Sequence, residues 1–252
     1  MQTKLITGAL LLFATLATAQ EYKVNKSSGR LEIYSGNVTV EGHAGNEIIF
    51  SSKDGDRDKD ERAVGLKSVN GMGLDDNTGL GINVTTKDNI VEVRQLKKMN
   101  SPKIKVLVPR GVIVYFNHES QYGGKAVFRN MENEIEISCQ YNSIELENVT
   151  GPLTLKTVYG GVDASFSESV KGPLSIVSVY GHVDITLPIA TKANLKMTTS
   201  YGELYMASDF NLEVNKKDGM TQWGDKLDGK LNGGGFAIDL RSDYGKIYLR
   251  KK

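Results

Sequence analysis

The stretch LKTVYGGVDASF, Leu155 to Phe166, nearly recurs as IVSVYGHVDITL, Ile176 to Leu187. Aligning on the shared Tyr-Gly recovers further anchors: Tyr122-Gly123, Tyr141-Asn142, Tyr159-Gly160, Tyr180-Gly181, Tyr201-Gly202 and Tyr244-Gly245. They recur about every 20 residues, a period that belongs to stacked repeats. The last step is a double one, and Trp223-Gly224 in its middle reads as a degenerate copy. Asn is the other residue that tolerates a left-handed backbone, so its presence at 142 points to that conformation after each Tyr.

The flanks repeat as well. Before the Tyr stand Ile135 and Ile137, Leu153 and Leu155, Leu174 and Ile176, Leu195 and Met197, Ile238 and Leu240. After it come Ile144 and Leu146, Val162 and Ala164, Val183 and Ile185, Leu204 and Met206, Ile247 and Leu249, with mostly polar residues between. Alternation of this kind is the period of a half-buried strand. Two residues before the Tyr lie Cys139, Thr157, Ser178, Thr199 and Ser242, all small. Each unit therefore reads as strand, Tyr-Gly bend, strand and turn. No unit this short buries a core alone, but stacked units do. The expected fold is all-β: a single-stranded β-solenoid of the parallel β-helix or β-roll kind. Successive coils lie on one another, and like residues form columns about 4.8 Å apart. The Tyr column reads as packing at a bend; the rival reading is a row of platforms for sugars.

Outside the repeats, Leu31, Ile33, Val38, Val40, Ile48 and Phe50 alternate with polar residues and predict further strands. Residues near 53–80 are polar and glycine-rich, which predicts an exposed loop. Residues near 207–235 interrupt the array as an insertion or a decayed coil. No linker divides residues 20–252, so they form one domain. Ahead of them, Lys4, the apolar run Leu5–Leu16 and the small residues Ala17–Ala19 make residues 1–19 a secretory signal peptide. The apolar run is too short to span a bilayer, and nothing later in the chain is apolar for long enough. Basic and acidic residues nearly balance, 31 against 30, which gives no electrostatic reason to expect nucleic acid. The one cysteine, Cys139, forms no internal disulfide, so burial and hydrogen bonding must hold the exported chain.

Candidate chemistry is sparse. Asp54, Asp56, Asp58, Asp60 and Glu61 suggest calcium, but Lys59 and Gly65 stand where an EF-hand needs Gly and Glu. Interspersed Arg57, Lys59 and Arg62 favour a solvated charged loop. The outward column Glu145, Asp163, Asp184 would stack carboxylates about 5 Å apart. Such acids must share a proton, bind a cation or be relieved by bases. Here calcium or glycan-cleaving chemistry competes with a plain acidic stripe, and the next members of the column are Tyr205 and Tyr248. His43, His118 and His182 show no ligand spacing, and His118 takes a position that is aliphatic in other copies. Asn37, Asn83 and Asn148 open Asn-Val-Thr sequences, which are also common in strand turns. The phosphate-loop ending is absent from GMGLDDNTGLG.

The segments GNVTVEGHAGNEIIF, VPRGVIVYF and NVTGPLTLKTVYGGVDASF, and the ending LNGGGFAIDLRSDYGKIYLRKK, come in an order that resembles the bacterial putative-adhesin family. Those β-strand-repeat proteins are catalogued as domains of unknown function. The likeness covers about residues 24–252 and implies a β-solenoid exported to the periplasm, the outer surface or the medium. It carries no catalytic residue over. The expected function is a non-enzymatic binding scaffold for a glycan or a protein. A calcium-dependent polysaccharide lyase or hydrolase, or a purely structural envelope role, stand as alternatives. Solenoid ends invite end-to-end self-association, and the basic tail Tyr248–Lys252 would guard one of them.

Overall fold

The computed structural model describes residues 20–52, 62, 64–66, 69–214, 216–217, 220–221 and 226–252. The segment expected to be a signal peptide, the acidic run Asp54–Glu61 and Trp223-Gly224 lie outside the described residues. Strands follow one another through the described residues, among which no α-helix occurs. The N-terminal part contributes β1 (Glu21–Val24), β2 (Ser28–Tyr34), β3 (Val38–His43), β4 (Ile48–Ser52), β5 (Ile82–Lys87), β6 (Ile90–Gln95), β7 (Ile104–Pro109), β8 (Gly111–His118) and β9 (Lys125–Arg129). The repeats contribute β10 (Ile135–Cys139), β11 (Ser143–Val149), β12 (Leu153–Thr157), β13 (Val162–Phe166), β14 (Leu174–Ser178), β15 (Val183–Leu187), β16 (Ala193–Thr199) and β17 (Leu204–Met206). Then come β18 (Leu212–Val214), the short pair β19 (Lys216–Lys217) and β20 (Met220–Thr221), β21 (Lys226–Leu231), β22 (Phe236–Ser242) and β23 (Ile247–Lys251).

All of these strands except the β19–β20 pair build two long, largely parallel sheets. One runs β1-β4-β7-β3-β9-β11-β13-β15-β23-β17 and the other β18-β21-β16-β22-β14-β12-β10-β8-β2-β6-β5. A coil, here one strand in each sheet, contributes its alternate residues to the space between them. Ile135, Leu153, Leu174, Ile238 and Leu195 make one aliphatic row, and Ile144, Val162, Val183 and Ile247 make a row opposite. Phe116 and Phe128 are fully buried, and their rings meet edge to face at 6.0 Å. Burying an apolar side chain of this size is worth about 1.5–3 kcal/mol.

The order of the coils departs from the order of the chain. Between β8 and β15 each coil lies on its predecessor. At the C-terminal end, however, β22 and β23 lie directly on β14 and β15, and β16 and β17 are stacked outside them. The N-terminal end mirrors this: β2 and β3 lie on β8 and β9, with β6 and β7 outside. The coils β2–β3 and β22–β23 are thus sandwiched within the stack, whereas β1 lies at the edge of its sheet. Every coil carries the same inward pattern, so Ile238 fits between Leu174 and Leu195 as well as Leu195 itself would fit on Leu174. The basic tail accordingly guards no edge. Lys251 instead pairs with Asp209 at 2.6 Å and Lys252 with Glu168 at 3.2 Å.

Antiparallel strands close the stack on most sides. β5 covers β6, while β4 and then β1 cover β7. From the 207–235 interruption, β21 and then β18 cover β16. In the 53–80 stretch, Val64, Leu66 and Met72 are exposed, whereas Leu80 is buried and Asp76 accepts from the amides of Thr78, Gly79 and Gly81.

Candidate functional site

The bend between the two sheets is built by a residue the sequence offered only as small. In Thr157-Val158-Tyr159-Gly160 the threonine hydroxyl accepts from the Gly160 amide at 3.3 Å. Ser178, Thr199 and Ser242 accept from Gly181, Gly202 and Gly245 at 2.9, 2.9 and 3.0 Å. Each hydroxyl also donates to the neighbouring coil: Ser178 to Gly160 O at 2.9 Å, Ser242 to Gly181 O at 2.7 Å and Thr199 to Gly245 O at 3.3 Å. These bonds follow the order of the stack, not of the chain.

The glycines serve a different purpose from the expected one. Gly160, Gly181, Gly202 and Gly245 lie outside the left-handed region. What excludes a side chain is the coil beneath. A Cβ on Gly181 would stand 2.2 Å from Gly160 O, one on Gly245 2.2 Å from Gly181 O and one on Gly202 1.8 Å from Gly245 O.

Held by these bends, the tyrosines form a file. Centroids lie 4.9 Å apart for Tyr141–Tyr159, 5.2 Å for Tyr159–Tyr180, and 4.9 Å for both Tyr180–Tyr244 and Tyr244–Tyr201. The rings are within 17° of parallel, and such stacked pairs are worth about 0.5–1.5 kcal/mol each beyond burial. Tyr201 does not follow Tyr180: Tyr244 stands between them, because its coil does. Tyr122 makes no ring contact with the file among the described residues. Its bend runs from His118 to Ala126, longer than the Cys139-to-Ile144 bend above it.

That longer bend explains Asn142. Its side chain drops into the opened corner, where Nδ2 donates to Gly36 O at 2.8 Å and Gly124 O at 2.9 Å. Oδ1 is left to accept from Nδ1–H of His118 at 2.7 Å. His118 pairs with Cys139 in register, so it belongs to the hydroxyl column and not to an aliphatic one. Its Nε2 is buried without a partner, and burial pushes its pKa down against the opposing bond to Asn142. Burial likewise pushes the Cys139 thiol up.

The carboxylates Glu145, Asp163 and Asp184 stand in register on adjacent strands. Each has its own basic partner. Lys125 is hydrogen-bonded to Glu145, His182 Nε2 lies 3.0 Å from Asp163, and Arg250 grips Asp184 with two bonds of 2.7 Å. Glu145 raises the pKa of Lys125 and Asp184 raises that of Arg250, in each case first through the hydrogen bond. Of the three ways to relieve a carboxylate row, this face uses neighbouring bases. Arg250 reaches Asp184 only because β23 is inserted beside β15, so no spacing in the chain announces the pair. Among the described residues no group of three or more His, Cys, Asp or Glu is placed to hold a metal ion.

Two surface features carried no sequence signal strong enough to find them. A groove of about 580 Å³ crosses the turns on the side away from the tyrosines, lined among others by His43, Arg110, Asn130, Asn148, Ser167 and Lys171. His43 is tied down there, its Nε2–H donating to Glu47 O at 2.8 Å. Asn130 and Asn148, at φ 52° and 54°, are bonded amide to amide at 2.9 Å. On the outer face of the longer sheet, Arg94 lies 4.0 Å over the Tyr34 ring and Arg30 4.8 Å over that of Tyr115. Arg30 also makes two bonds to Glu136, holding that carboxyl below its usual range. Burial, with the bond to Glu32, pushes Tyr34 up to about 12.

Residues 129–231, from the end of β9 to the end of β21, match the family model described as Toastrack DUF4097. The match covers less than half of the chain. The matched stretch takes in the regular coils and the antiparallel cap, and stops before the inserted coil β22–β23. Among solved structures, a putative cell adhesion protein from Clostridium sporogenes is similar at 11% identity and a TM-score of 0.43, over 93% of this chain and 100% of that one. A putative adhesin from Bacteroides fragilis is similar at 12% identity and a TM-score of 0.37, over 94% and 98%. No curated protein matches this chain. The functional reading of this chain rests on its own geometry.

Proposed function

We propose that this chain is a non-enzymatic protein of the cell envelope, exported by the leader at residues 1–19, whose solenoid presents repeated surface rows to a glycan or protein ligand. In this reading the frame is a single-stranded β-solenoid of about 20 residues per coil with one Tyr-Gly bend in each regular coil. The observation that carries it is the exposed tyrosine file, five like side chains at one coil spacing on a frame whose interior is continuous. A row of this kind suits a partner that is itself periodic or extended. The acids that would serve a lyase are each held by a base, which leaves that alternative without a supporting feature. No helix among the described residues is long and apolar enough to cross a membrane.

Fractionation of the native cells, followed by crosslinking and an array of envelope glycans and proteins, tests the proposal. The expected result is an envelope location and a captured ligand with no turnover of it. A cytoplasmic location, or cleavage of a polysaccharide that is lost on changing both Asp163 and Asp184 to Asn, would overturn it.

A further inference from the structure

We infer that the tyrosine file reads an extended, neutral, β-1,4-linked polysaccharide, one sugar per coil, through its phenolic hydroxyls. The inference rests on the binding-scaffold reading above and names its site and ligand class. Tyr141, Tyr159, Tyr180 and Tyr244 are 41–54% exposed, and Tyr201 is 76% exposed. Because the rings stack on one another, their faces are taken, except for the outer faces of Tyr141 and Tyr201 at the two ends of the file. Sugars therefore cannot lie on the rings as platforms. What the file offers to solvent is the edges of nearly parallel rings, their centroids 4.9–5.2 Å apart, and the phenolic hydroxyls they carry.

Three observations select the ligand. The backbone of the bend is already used: the amides of Tyr159, Tyr180, Tyr244 and Tyr201 donate to Gln140, Val158, Val179 and Asp243 at 2.7–2.9 Å. A peptide strand would find nothing there to pair with. Of the charges beside the file, Arg241 is neutralised by Asp243 at 2.7 Å and Lys246 by Glu203 at 2.7 Å. Its central part is flanked by Gln140, Val158 and Val179; Lys156, in the same row as Arg241, is exposed but has no basic counterpart at Val177, so a charged polymer finds no handle repeated from coil to coil. Successive rings turn by no more than 17° and step by 4.9–5.2 Å, close to one strand spacing of about 4.8 Å. An extended β-1,4-linked chain advances by close to that step per sugar and keeps equatorial hydroxyls along its edge, whereas an α-1,4-linked chain winds away from a straight row. Four steps make the file roughly 20 Å long, so the site is filled by five sugars.

Calorimetric titration of the full chain with cellopentaose, chitopentaose and maltopentaose tests this, alongside the variant Tyr159→Phe/Tyr180→Phe. The variant keeps the rings, and with them the stack, and removes only two hydroxyls. The expected result is binding of at least one β-1,4-linked pentamer, at least tenfold weaker for its dimer and for maltopentaose. The variant should lose at least tenfold in affinity with an unchanged melting temperature. Saturation-transfer NMR on the wild type gives a readout free of any variant: transfer should arise from tyrosine ring protons. Equal affinity of variant and wild type, or no binding of either β-linked pentamer at millimolar concentration, overturns the inference. If the wild type and the variant still capture the same envelope ligand, the inference alone falls; if neither captures anything, the scaffold reading falls with it.

Discussion

Between Ile135 and Leu187 each coil rests on the one before it in the chain, whereas at both ends of the stack that order is broken. The middle is therefore closed by neighbours some 20 residues away, the usual economy of a solenoid. The ends are closed at long range. β22 and β23 enter a slot between β14–β15 and β16–β17, and β2 and β3 lie between β6–β7 and β8–β9. A solenoid stacked in chain order leaves its last coil held on one side only, free to fray. Here the coils β2–β3 and β22–β23 are held on two sides, and the outer coils are β6–β7, backed by β5, β4 and β1, and β16–β17, of which β16 is backed by β21 and β18 and β17 is a sheet edge. The difference teaches that a repeated inward pattern specifies a coil's shape without specifying its place.

The comparison is broken most severely by deleting residues 236–252. In a stack built in chain order this would merely shorten one end. In the structure it opens a gap one coil wide beneath β16–β17. Residues 193–231 should then lose protection from hydrogen exchange and proteolysis, at a cost amounting to much of a typical domain stability of about 5–15 kcal/mol. Retained protection of 193–206 would contradict the insertion.

Next in size is the close approach at the bends. Gly181→Ala sets a Cβ against Gly160 O and Gly245→Ala sets one against Gly181 O. Each should cost about 1–3 kcal/mol by denaturant unfolding, as overpacking does. Gly71→Ala, which meets nothing within 4 Å, is the control and should be near neutral. Ser178→Ala and Ser242→Ala follow at about 1 kcal/mol each. Equal losses would show that the inserted coil is bonded like a regular one.

A smaller effect separates the irregular corner from the regular ones. The folded pKa of His118 lies below its ordinary value of about 6.5, so between the two the unfolded chain binds a proton that the native protein does not. Stability from this group is complete above the ordinary value and falls as pH drops through that window, by at most about 1.4 kcal/mol per pH unit. His118→Gln should flatten the dependence in melts between pH 7.5 and pH 5. The smallest change belongs to the exposed face: Asp184→Asn breaks the pair with Arg250, and any loss of stability should vanish in high salt.

Much of this frame was legible in the sequence because strand alternation is a local property. The aliphatic rows and the Tyr-Gly bends follow from the identity of each residue and its neighbours two positions away. The order of the end coils was not legible, since a coil that fits anywhere names no partner. The long gap between Tyr201 and Tyr244 marked a break in the array but not where the chain returned to it. The role of the glycines was missed because their constraint is a carbonyl in another coil, not a torsion of their own. His118 was misplaced by counting back from Tyr122 across a bend of a different length. Of the candidate site, the carboxylate column could be read from spacing. Its basic partners could not, because Arg250 reaches Asp184 across the transposed order.

The insertion is tested most directly by cysteine pairing in a Cys139→Ser background. Val177 is in register with Arg241, which is in turn in register with Thr198. One coil spacing is about 4.8 Å, within the Cα separation of roughly 4.4–6.8 Å that a disulfide accepts; two spacings are not. Oxidation of the Val177→Cys/Arg241→Cys variant should give a full crosslink in the folded protein, and the Val177→Cys/Thr198→Cys variant none. A crosslink in the second variant and not in the first would mean that the coils stack in chain order and that the last one lies at the end.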